Sequence, residues 1–338
     1  MSRSQLSDPP IAADESAASQ PAAGESAVDA LATSESAVPE TVASELAASR
    51  PAASESAAGI PVAGHLAARE RGAREPASAE QPAEVLRVED LRVTVGAGRT
   101  EAVHGVSFAI RRGQTVGLVG ESGSGKTLTC RAVLGLLARG CERSAGRIDL
   151  GGTDLTGLSR REWDAVRGTR IGIVFQDPAS YLNPSITVGR QLSETVRVHT
   201  GVGRAAARAR ALELFAAVGL RDADTVYRRY PHELSGGMAQ RVLIAIAISG
   251  DPDLLVADEA TSSLDALVQA EVLELLRTLT EERGLALLLV THDLAVVAEV
   301  CDEVLVLYRG ELVEQGPTAD IVAAPQHAHT RALLEASR

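Results

Sequence analysis

The sequence predicts an α/β protein built on a mainly parallel sheet that helices cover on both faces. Five largely apolar runs follow one another from residue 115 onward, and most are separated by stretches with helical periodicity. Strands that are apolar throughout are typical of parallel sheets, because both faces of such a sheet are buried. The runs are TVGLVG (115–120), RIGIVF (170–175), DLLVAD (253–258), LALLLVTH (285–292) and EVLVLYRGELVEQG (303–316).

Two earlier segments follow a different pattern. VLRVEDLRVTV (85–95) and VSFAI (106–110) alternate apolar with polar residues. An alternation of period two is typical of a strand with one face on the core and one face toward solvent. Both segments are therefore predicted to be half-buried strands.

Residues 1–83 differ from the rest in composition. They consist mostly of Ala, Ser, Glu and Pro, and their 5 Arg against 12 Asp and Glu contribute −7 to the total net charge of −12. The tripeptide ESA recurs at intervals of ten residues or their multiples, a period that fits neither a strand nor a helix face. We expect a disordered low-complexity tail, with a nascent Ala-rich helix as the alternative. The first thirty residues contain no apolar segment of the kind an export signal requires.

The composition also limits the metal sites, membrane segments and nucleic-acid contacts that can be expected. The three cysteines have no metal-ligand spacing, which favours reduced thiols. No run of 18 apolar residues occurs, so we expect any work at a membrane to depend on a partner. The acidic chain, with a pI near 5.2 and no prominent basic patch, is a poor candidate for binding nucleic acid.

The stretch GESGSGKT (120–127) matches the phosphate-loop pattern, and it lies between a predicted strand and a predicted helix. Glycines allow the backbone to turn its N–H groups toward phosphate oxygens at the start of a helix. Lys126 is placed to reach the β- and γ-phosphates, and the Thr127 hydroxyl to ligate Mg²⁺. A glycine-rich turn that binds nothing does not need a Lys-Thr pair. The candidate nucleotide-binding residues here are Gly120, Glu121, Ser122, Gly123, Ser124, Gly125, Lys126 and Thr127.

Lys126 is the only lysine in the chain, although the sequence contains 33 Lys and Arg residues together. The ammonium group is a compact point charge, whereas guanidinium is a broad planar fork. Only the ammonium is expected to fit inside a ring of backbone N–H groups.

A second phosphate-site pattern follows in DLLVAD-EATSSLDA (253–266). Asp258 ends a predicted strand, where a carboxylate can hold Mg²⁺. Glu259 is expected to point the other way on an extended chain and to polarise the attacking water. A carboxylate pair that merely caps a helix is the alternative, and the upstream phosphate loop disfavours it.

Between these motifs lies ELSGGMAQR (233–241), 23 residues before Asp258 when counted from Ser235. With this stretch the chain resembles the ATP-binding subunits of ABC transporters, over residues 85 to about 335. The resemblance implies three further site residues: Gln176 in VFQDP, which senses the γ-phosphate and ligates Mg²⁺; Asp265 in SSLD, which contacts the opposite subunit; and His292 in VTHD, the switch histidine.

The resemblance also implies an architecture. We expect a P-loop NTPase domain of ABC type at residues 84–326, with a mostly parallel core sheet, an antiparallel β subdomain and a helical subdomain at about 186–240. ATP and Mg²⁺ are the implied ligands. Two such domains face each other in this family, so that ATP lies between the phosphate loop of one and Ser235, Gly236 and Gly237 of the other.

Longer stretches, above all the DP…LNP…TVG string after Gln176, look like the peptide and nickel import branch. In that branch the string lines the groove for a permease helix; a Pro-rich connector is the alternative. The branch implies two permease subunits, a second and different ATPase subunit, and an extracytoplasmic substrate-binding protein as an indirect partner. The expected location is the cytoplasmic face of the cell membrane, as a peripheral subunit. Import of di- or oligopeptides is the primary expectation, and import of nickel or a metal chelate is the alternative.

The chain departs from the branch pattern in four places. Ala260 stands where Pro is usual, Ser263 where Ala is commoner, and Val95 where an aromatic residue normally meets the adenine ring. Residues 327–338 form only a short remnant of the usual C-terminal extension, so an iron–sulfur site is not expected, and a metal site at His327 and His329 is disfavoured.

Two rival functions remain. A soluble ABC protein of DNA repair or translation is disfavoured, because Lys126 and Ser235 are 109 residues apart without a long heptad run and the motifs occur once. An efflux ATPase is the second rival, against which the LNP…TVG string argues.

Overall fold

The computed structural model describes residues 83–262 and 264–336. The low-complexity tail expected at residues 1–83 lies outside this range except for Ala83, and Ser263 lies outside it as well. The described part contains ten strands in two sheets. The strands are β1 (Glu84–Val95), β2 (Thr100–Arg111), β3 (Thr115–Val119), β4 (Cys141–Leu150), β5 (Thr153–Asp154), β6 (Ile171–Val174), β7 (Leu254–Asp258), β8 (Ala286–Thr291), β9 (Glu303–Tyr308) and β10 (Glu311–Pro317).

The first sheet is antiparallel and has the order β2-β1-β4-β5. Strand β1 pairs with β2 in the register Val93↔Val103, and with β4 in the register Val88↔Ile148. All four of these side chains are buried, which follows from the apolar–polar alternation of the sequence. This sheet confirms the half-buried strands that the alternation predicts.

The second sheet has six strands in the order β10-β9-β3-β8-β7-β6. Every adjacent pair except β9 with β10 is parallel. All residues of β3 and β8, in the middle of the sheet, are buried, as both faces of a parallel sheet require. The observed architecture therefore confirms the predicted fold class: a mostly parallel core sheet with an antiparallel sheet beside it.

The run at 303–316 folds differently from the other apolar runs. Its chain reverses at Arg309 and Gly310, both with positive φ (49° and 82°), so that Tyr308 pairs with Glu311 in an antiparallel hairpin. Two central residues with positive φ match the twist of the flanking strands and make a tight two-residue turn. The run thus provides two strands, one of which is the antiparallel edge of the sheet.

Eleven α-helices occur in the described residues. They are α1 (Lys126–Val133), α2 (Arg160–Val166), α3 (Pro178–Tyr181), α4 (Val188–Thr200), α5 (Arg204–Ala217), α6 (Ala223–Arg228), α7 (Gly236–Ala247), α8 (Ala266–Arg283), α9 (Leu294–Val300), α10 (Thr318–Ala323) and α11 (Ala328–Ala336). A 3₁₀ turn, Pro231–Glu233, precedes α7. Helices α4 to α7 follow one another without an intervening strand, and the boundaries of a separate helical subdomain stay a prediction.

The apolar side chains form two cores, one on each face of the six-stranded sheet. Residues of one strand alternate between them: Leu288 belongs to the core shared with the antiparallel sheet, whereas Leu287 and Leu289 belong to the core shared with α4, α5 and α7. The sheet therefore separates an antiparallel layer with α1 from a layer of helices. Its carboxyl edge remains accessible for the loops that carry the motifs.

Candidate nucleotide-binding site

The phosphate loop connects the centre of the sheet to α1. Strand β3 ends at Val119, between β8 and β9, and α1 begins at Lys126. Gly125 precedes the helix with φ 105°, a conformation that favours glycine. A Cβ at Gly120 would overlap the carbonyl oxygen of Leu307 in β9. The loop therefore lies against the end of β9, and its tight turn depends on glycine at these two positions.

Lys126 lies inside this turn. The residue is only 5% exposed, and Nζ donates hydrogen bonds to the carbonyl oxygens of Gly120 (2.7 Å) and Glu121 (2.9 Å). The Ser124 hydroxyl is buried in the same loop without a hydrogen-bond partner. A buried ammonium and an unpaired hydroxyl in a ring of backbone groups fit an oxygen-rich anionic ligand such as a polyphosphate.

The carboxylates of the second motif, Asp258 and Glu259, lie at the end of β7, which β8 separates from β3. Asp258 ends β7, and its charge contributes to the raised pKa of Cys130 in α1, after burial, the larger cause. The end of β7 and the helix that follows the phosphate loop are therefore close together. Thr127 begins that helix, and Gln176 follows β6, the next strand along. Hydroxyl, amide and carboxylate oxygens are the donors that Mg²⁺ prefers, so these residue types fit that ion.

Glu259 and His292 come together because their strands are adjacent. Asp258 of β7 pairs with Val290 of β8, so the residues that follow the two strands share one edge. The Glu259 N–H donates to the Val290 carbonyl (2.9 Å), and the Glu259 Oε1 lies 3.5 Å from the His292 Nδ1. The Glu259 side chain is 25% exposed and that of His292 60% exposed. The Glu259 carboxylate is thus partly accessible to solvent, and the His292 ring is largely accessible.

The prediction of an extended chain at Glu259 is wrong. Glu259 has φ 47°, in the left-handed region. Side chains other than glycine pay a steric penalty there, and such residues often occur at functional sites. The turn, together with the N–H bond to β8, directs Glu259 toward His292 rather than simply to the opposite side of Asp258.

Ser235, Gly236 and Gly237 form a separate cluster with the start of α8. Ser235 caps α7 by accepting a hydrogen bond from the Met238 N–H (3.3 Å). A Cβ at Gly237 would overlap Val268 of α8. Asp265 caps α8 by accepting from the Val268 N–H (3.1 Å). Two helix N-termini therefore lie side by side, which is a favourable surface for anions.

An aromatic pair encloses the loop of Gln176. The rings of Phe175 and Tyr181 are stacked with centroids 4.3 Å apart and an angle of 7° between their planes. Asp177 caps the short helix α3 between them by accepting from the Ala179 N–H (3.0 Å). The sequence motifs predict no role for either ring. The only signal for them is the presence of an aromatic residue on each side of Gln176 and Asp177.

Two of the departures noted in the sequence have structural consequences. The Val95 side chain is 3% exposed, so it offers little surface to an adenine ring. The backbone N–H of His329 donates to His327 Nδ1 (3.2 Å), so this ring nitrogen is already engaged in a hydrogen bond and is less available to a metal ion. Among residues 83–262 and 264–336, no group of three or more His, Cys, Asp or Glu is arranged to hold a metal ion.

The fold and the site together define a P-loop nucleoside triphosphatase: a strand, glycine loop and helix with a buried lysine, and two carboxylates at the end of another parallel strand of the same sheet. Residues 103–262 match the family described as ABC transporter. The dipeptide transport ATP-binding protein DppD of Escherichia coli is 42% identical over 254 residues, which is 75% of this chain and 78% of the relative. The oligopeptide transport ATP-binding protein OppD of Salmonella typhimurium is 44% identical over 261 residues, 76% of this chain and 78% of the relative.

Solved structures agree with these relatives. The structure of cbiO1 from Clostridium perfringens, described as part of the ABC transporter complex cbiONQ, has a TM-score of 0.64 and 29% identity, and the match covers 71% of this chain and 91% of that one. The dimeric ATP-binding cassette MJ0796 in a post-hydrolysis state with ADP and Pi has a TM-score of 0.61 and 27% identity, covering 69% and 98%. The chain belongs to the ATP-binding subunits of ABC transporters, and it is an ATPase.

Proposed function

We propose that this ATPase energises a membrane importer of di- or oligopeptides. The observation that carries the catalytic part is the approach of Glu259 and His292 at the edge where the phosphate loop begins. The observation that supports the substrate class is that relatives at 42% and 44% identity are named dipeptide and oligopeptide transport ATP-binding proteins. Import of nickel or a metal chelate is the alternative, and the names of these relatives do not favour it.

The site residues divide the work of γ-phosphate hydrolysis. Lys126 and the backbone N–H groups of residues 120–127 hold the phosphates and spread the charge of the transition state. Glu259 orients the attacking water and accepts its proton, while His292 contacts the γ-phosphate and Gln176 senses it. When bound, Mg²⁺ neutralises phosphate charge, and Thr127, Gln176 and Asp258 are the residues that would hold it.

The second anion site belongs to a facing subunit in this proposal. Ser235, Gly236 and Gly237 would contact the nucleotide bound to the opposite phosphate loop, and Asp265 would contact the opposite subunit. The two adjacent helix N-termini, whose dipoles favour an anion, support this arrangement. The dimeric cassette MJ0796 supports it as well. The sequence resemblance to the first of two paired ATPases favours a different chain as the facing subunit.

A groove near this second site is the proposed docking place for a permease. It has a volume of about 330 Å³. Part of its lining comes from the DP…LNP string, and part comes from the turn before α7 and from the start of that helix. The lining residues are Asp177, Pro178, Ala179, Leu182, Pro184, Pro231, His232, Leu234, Ser235, Gly236, Ala239 and Leu264.

Such a groove supports docking to a permease. From the resemblance to the import branch we also propose two permease subunits, a peripheral position at the cytoplasmic face of the membrane, and an extracytoplasmic substrate-binding protein as an indirect partner. Among the residues that the structure describes, no helix has the length and apolarity to span a bilayer.

Replacement of Glu259 by Gln tests the catalytic assignment. The amide keeps the shape of the carboxylate but cannot accept a proton, so kcat should fall by about 100-fold or more while ATP binding is retained. Steady-state ATPase measurements and binding of a fluorescent ATP analogue give the two quantities. Glu281→Gln, an exposed position in α8, is the matched control and should leave both unchanged. Hydrolysis near the native rate in Glu259→Gln would show that another group is the base.

Uptake measurements test the substrate class. Cells that lack this chain should lose uptake of labelled di- or oligopeptides and recover it when the chain is supplied, but not when the Glu259→Gln variant is supplied. Labelled nickel is the parallel probe. Loss of nickel uptake with unchanged peptide uptake would overturn the peptide proposal in favour of the alternative.

A further inference from the structure

The start of α11 lies against the phosphate loop. The sequence predicts only a short remnant of a C-terminal extension at residues 327–338, with no part in the site. His329, the second residue of this helix, has a side chain that is only 6% exposed. Its Nδ1 lies 3.8 Å from the Oε1 of Glu121. This distance is too long for a hydrogen bond but close enough for an electrostatic contact. A residue near the end of the chain thus faces the second residue of the loop.

The same ring contacts the strand that supports the loop. The rings of His329 and Tyr308 have centroids 4.2 Å apart and are tilted by 33°. Tyr308 ends β9 and directly follows Leu307, whose carbonyl oxygen limits the space at Gly120. His329 therefore touches two sides of the loop's first turn: Glu121 itself and the strand end beneath Gly120.

Several hydrogen bonds fix the segment that carries His329. The Glu314 carboxylate of β10 accepts from the backbone N–H groups of Gln326 (2.7 Å) and His327 (3.0 Å). Burial by itself raises the pKa of Glu314, but hydrogen bonds with Gln326, Thr330 and His327, together with the charge of His327, outweigh it and lower the pKa overall. The segment before α11 is thus bound to β10 by a charged acceptor, and the position of His329 is well defined.

The imidazole of His329 is an unusual side chain for a site whose only role is packing. Its Nε2 is buried and has no hydrogen-bond partner. A buried unpaired nitrogen costs free energy that an apolar ring of similar size would avoid. Burial also lowers the pKa of His329, while the Glu121 carboxylate acts in the opposite direction and the charges of His327 and Lys126 add to the lowering. A polar ring kept at this cost indicates a role for its other nitrogen, the one that faces Glu121.

The hydrogen bonds of Lys126 bear on that role. Nζ holds the carbonyl oxygens of Gly120 and Glu121. A nucleotide draws Nζ toward its phosphates, so these two bonds weaken as the ligand binds. The contact between the Glu121 side chain and His329 does not compete with the phosphates. It can therefore hold the first turn of the loop in place when Lys126 changes partners.

We propose that His329 is a positioning residue for the phosphate loop: its ring packs on Tyr308 at the strand end beneath Gly120, and its Nδ1 lies within electrostatic range of the Glu121 carboxylate, so that the loop keeps the shape that binds the phosphates of ATP. The proposal rests on the assignment of residues 120–127 as the phosphate loop. It gives the C-terminal helix a direct part in nucleotide affinity.

The test uses the full-length chain with His329→Phe. Phe keeps an aromatic ring on Tyr308, removes the unpaired Nε2, and deletes the nitrogen that faces Glu121. We expect ATP affinity, measured with a fluorescent ATP analogue, to fall about fivefold, the equivalent of one lost polar interaction. The melting temperature should stay the same or rise. A fall in affinity without a fall in stability is a result that a purely structural role does not give.

His329→Asn and Glu121→Gln complete the experiment. The Asn side chain can place its amide N–H near the position of the imidazole Nδ1, so it should recover part of the lost affinity. In a double-mutant cycle, Glu121→Gln should weaken binding in the native chain and have little further effect in His329→Phe. Glu335→Gln, on the exposed side of α11, is the control and should bind ATP normally.

Native ATP affinity in a folded His329→Phe overturns the proposal. Strictly additive effects of His329→Phe and Glu121→Gln on ATP affinity in the double-mutant cycle overturn it as well. If His329→Phe does not fold, the His329→Asn variant and its coupling to Glu121 decide in the same way. Lys126→Ala separates the role of His329 from the assignment of residues 120–127 as the phosphate loop, on which it rests. Native ATP binding by Lys126→Ala contradicts the phosphate-loop assignment. Lost binding in Lys126→Ala with native binding in His329→Phe contradicts only the role of His329.

Discussion

At the scale of single residues, the proposed chemistry depends on a few side chains that are held in unusual environments. Lys126 is nearly completely buried among carbonyl oxygens, and Glu259 has a left-handed backbone. Neither environment is favourable by itself, because burying an ammonium group and adopting a positive φ both cost free energy. Both become useful once phosphates and a water molecule need to be oriented between them.

The unique lysine leads to a prediction about Arg. Lys126→Arg conserves the charge but replaces a compact ammonium by a wide planar group in a space bounded by the Gly120 and Glu121 carbonyls. We expect ATP affinity to fall by at least about tenfold, roughly 1.4 kcal/mol, nearly as far as in Lys126→Ala. Equilibrium binding of labelled ATP on a filter measures this.

The control for this prediction is the reverse exchange at a surface position. Arg139→Lys lies in the exposed turn before β4 and should leave ATP affinity unchanged. Binding by Lys126→Arg within about twofold of the native affinity, a difference of roughly 0.4 kcal/mol, would show that charge rather than shape explains the lysine.

At the scale of elements, the sequence predicted strands better than their ends and turns. The apolar runs at 115–120, 170–175, 253–258 and 285–292 each contain an observed strand, because burial on both faces leaves a simple apolar pattern. The run at 303–316 concealed a hairpin, since Arg is an unusual residue at a turn position with positive φ. Glu259 was misjudged for a similar reason: its turn is imposed by the N–H bond to β8, which sequence periodicity does not reveal.

The stacked pair around Gln176 leads to a prediction at this scale. Tyr181→Ala removes the ring that Phe175 stacks on and leaves the loop between them less well defined. A stacked pair is worth about 0.5–1.5 kcal/mol, so we expect kcat for ATP hydrolysis to fall about threefold to tenfold. The KM for ATP should change little, because the phosphate loop itself is untouched.

Tyr181→Phe is the matched control for the stacked pair. It keeps the ring and removes only a hydroxyl whose pKa burial already raises, so it should hydrolyse ATP at the native rate. Steady-state kinetics of the two variants provide the comparison. Equal kcat values for Tyr181→Ala and Tyr181→Phe would exclude a role for stacking.

At the scale of the whole molecule, the helical layer must stay attached to the sheet that carries the catalytic groups. His199, at the end of α4, is one contact between them: its Nδ1 lies 3.2 Å from the Ser249 hydroxyl, and its ring lies against Gly168. Burial lowers the pKa of His199. Its protonation is therefore linked to the stability of the fold.

The sign of the pH dependence follows from this lowered pKa. The unfolded chain has a histidine pKa of about 6.5, so below that pH it binds a proton that the folded chain does not yet bind. Stability from His199 is complete above about pH 6.5 and is lost as the pH falls below that value. We expect the melting temperature to decrease between pH 7.5 and 5.5, and His199→Gln to remove part of the decrease.

Thermal unfolding at several pH values, with Val198→Ala as the control, tests this expectation. Val198 is exposed on the same turn of α4 and carries no titratable group, so its replacement should leave the pH dependence unchanged. An identical decrease in the native chain and in His199→Gln would show that other groups cause it.

The sequence by itself determined the fold class and the order of the motifs, and it predicted the phosphate-loop residues. These features depend on local patterns: apolar runs for buried strands, and glycines with a lysine at the start of a helix. The tertiary structure decided which residues meet. The adjacency of β7 and β8 joined Glu259 to His292, and the packing of α11 on β9 brought His329 to Glu121. Such contacts join residues far apart in the chain, so no periodicity records them; they follow from the way strands and helices pack to bury apolar surface.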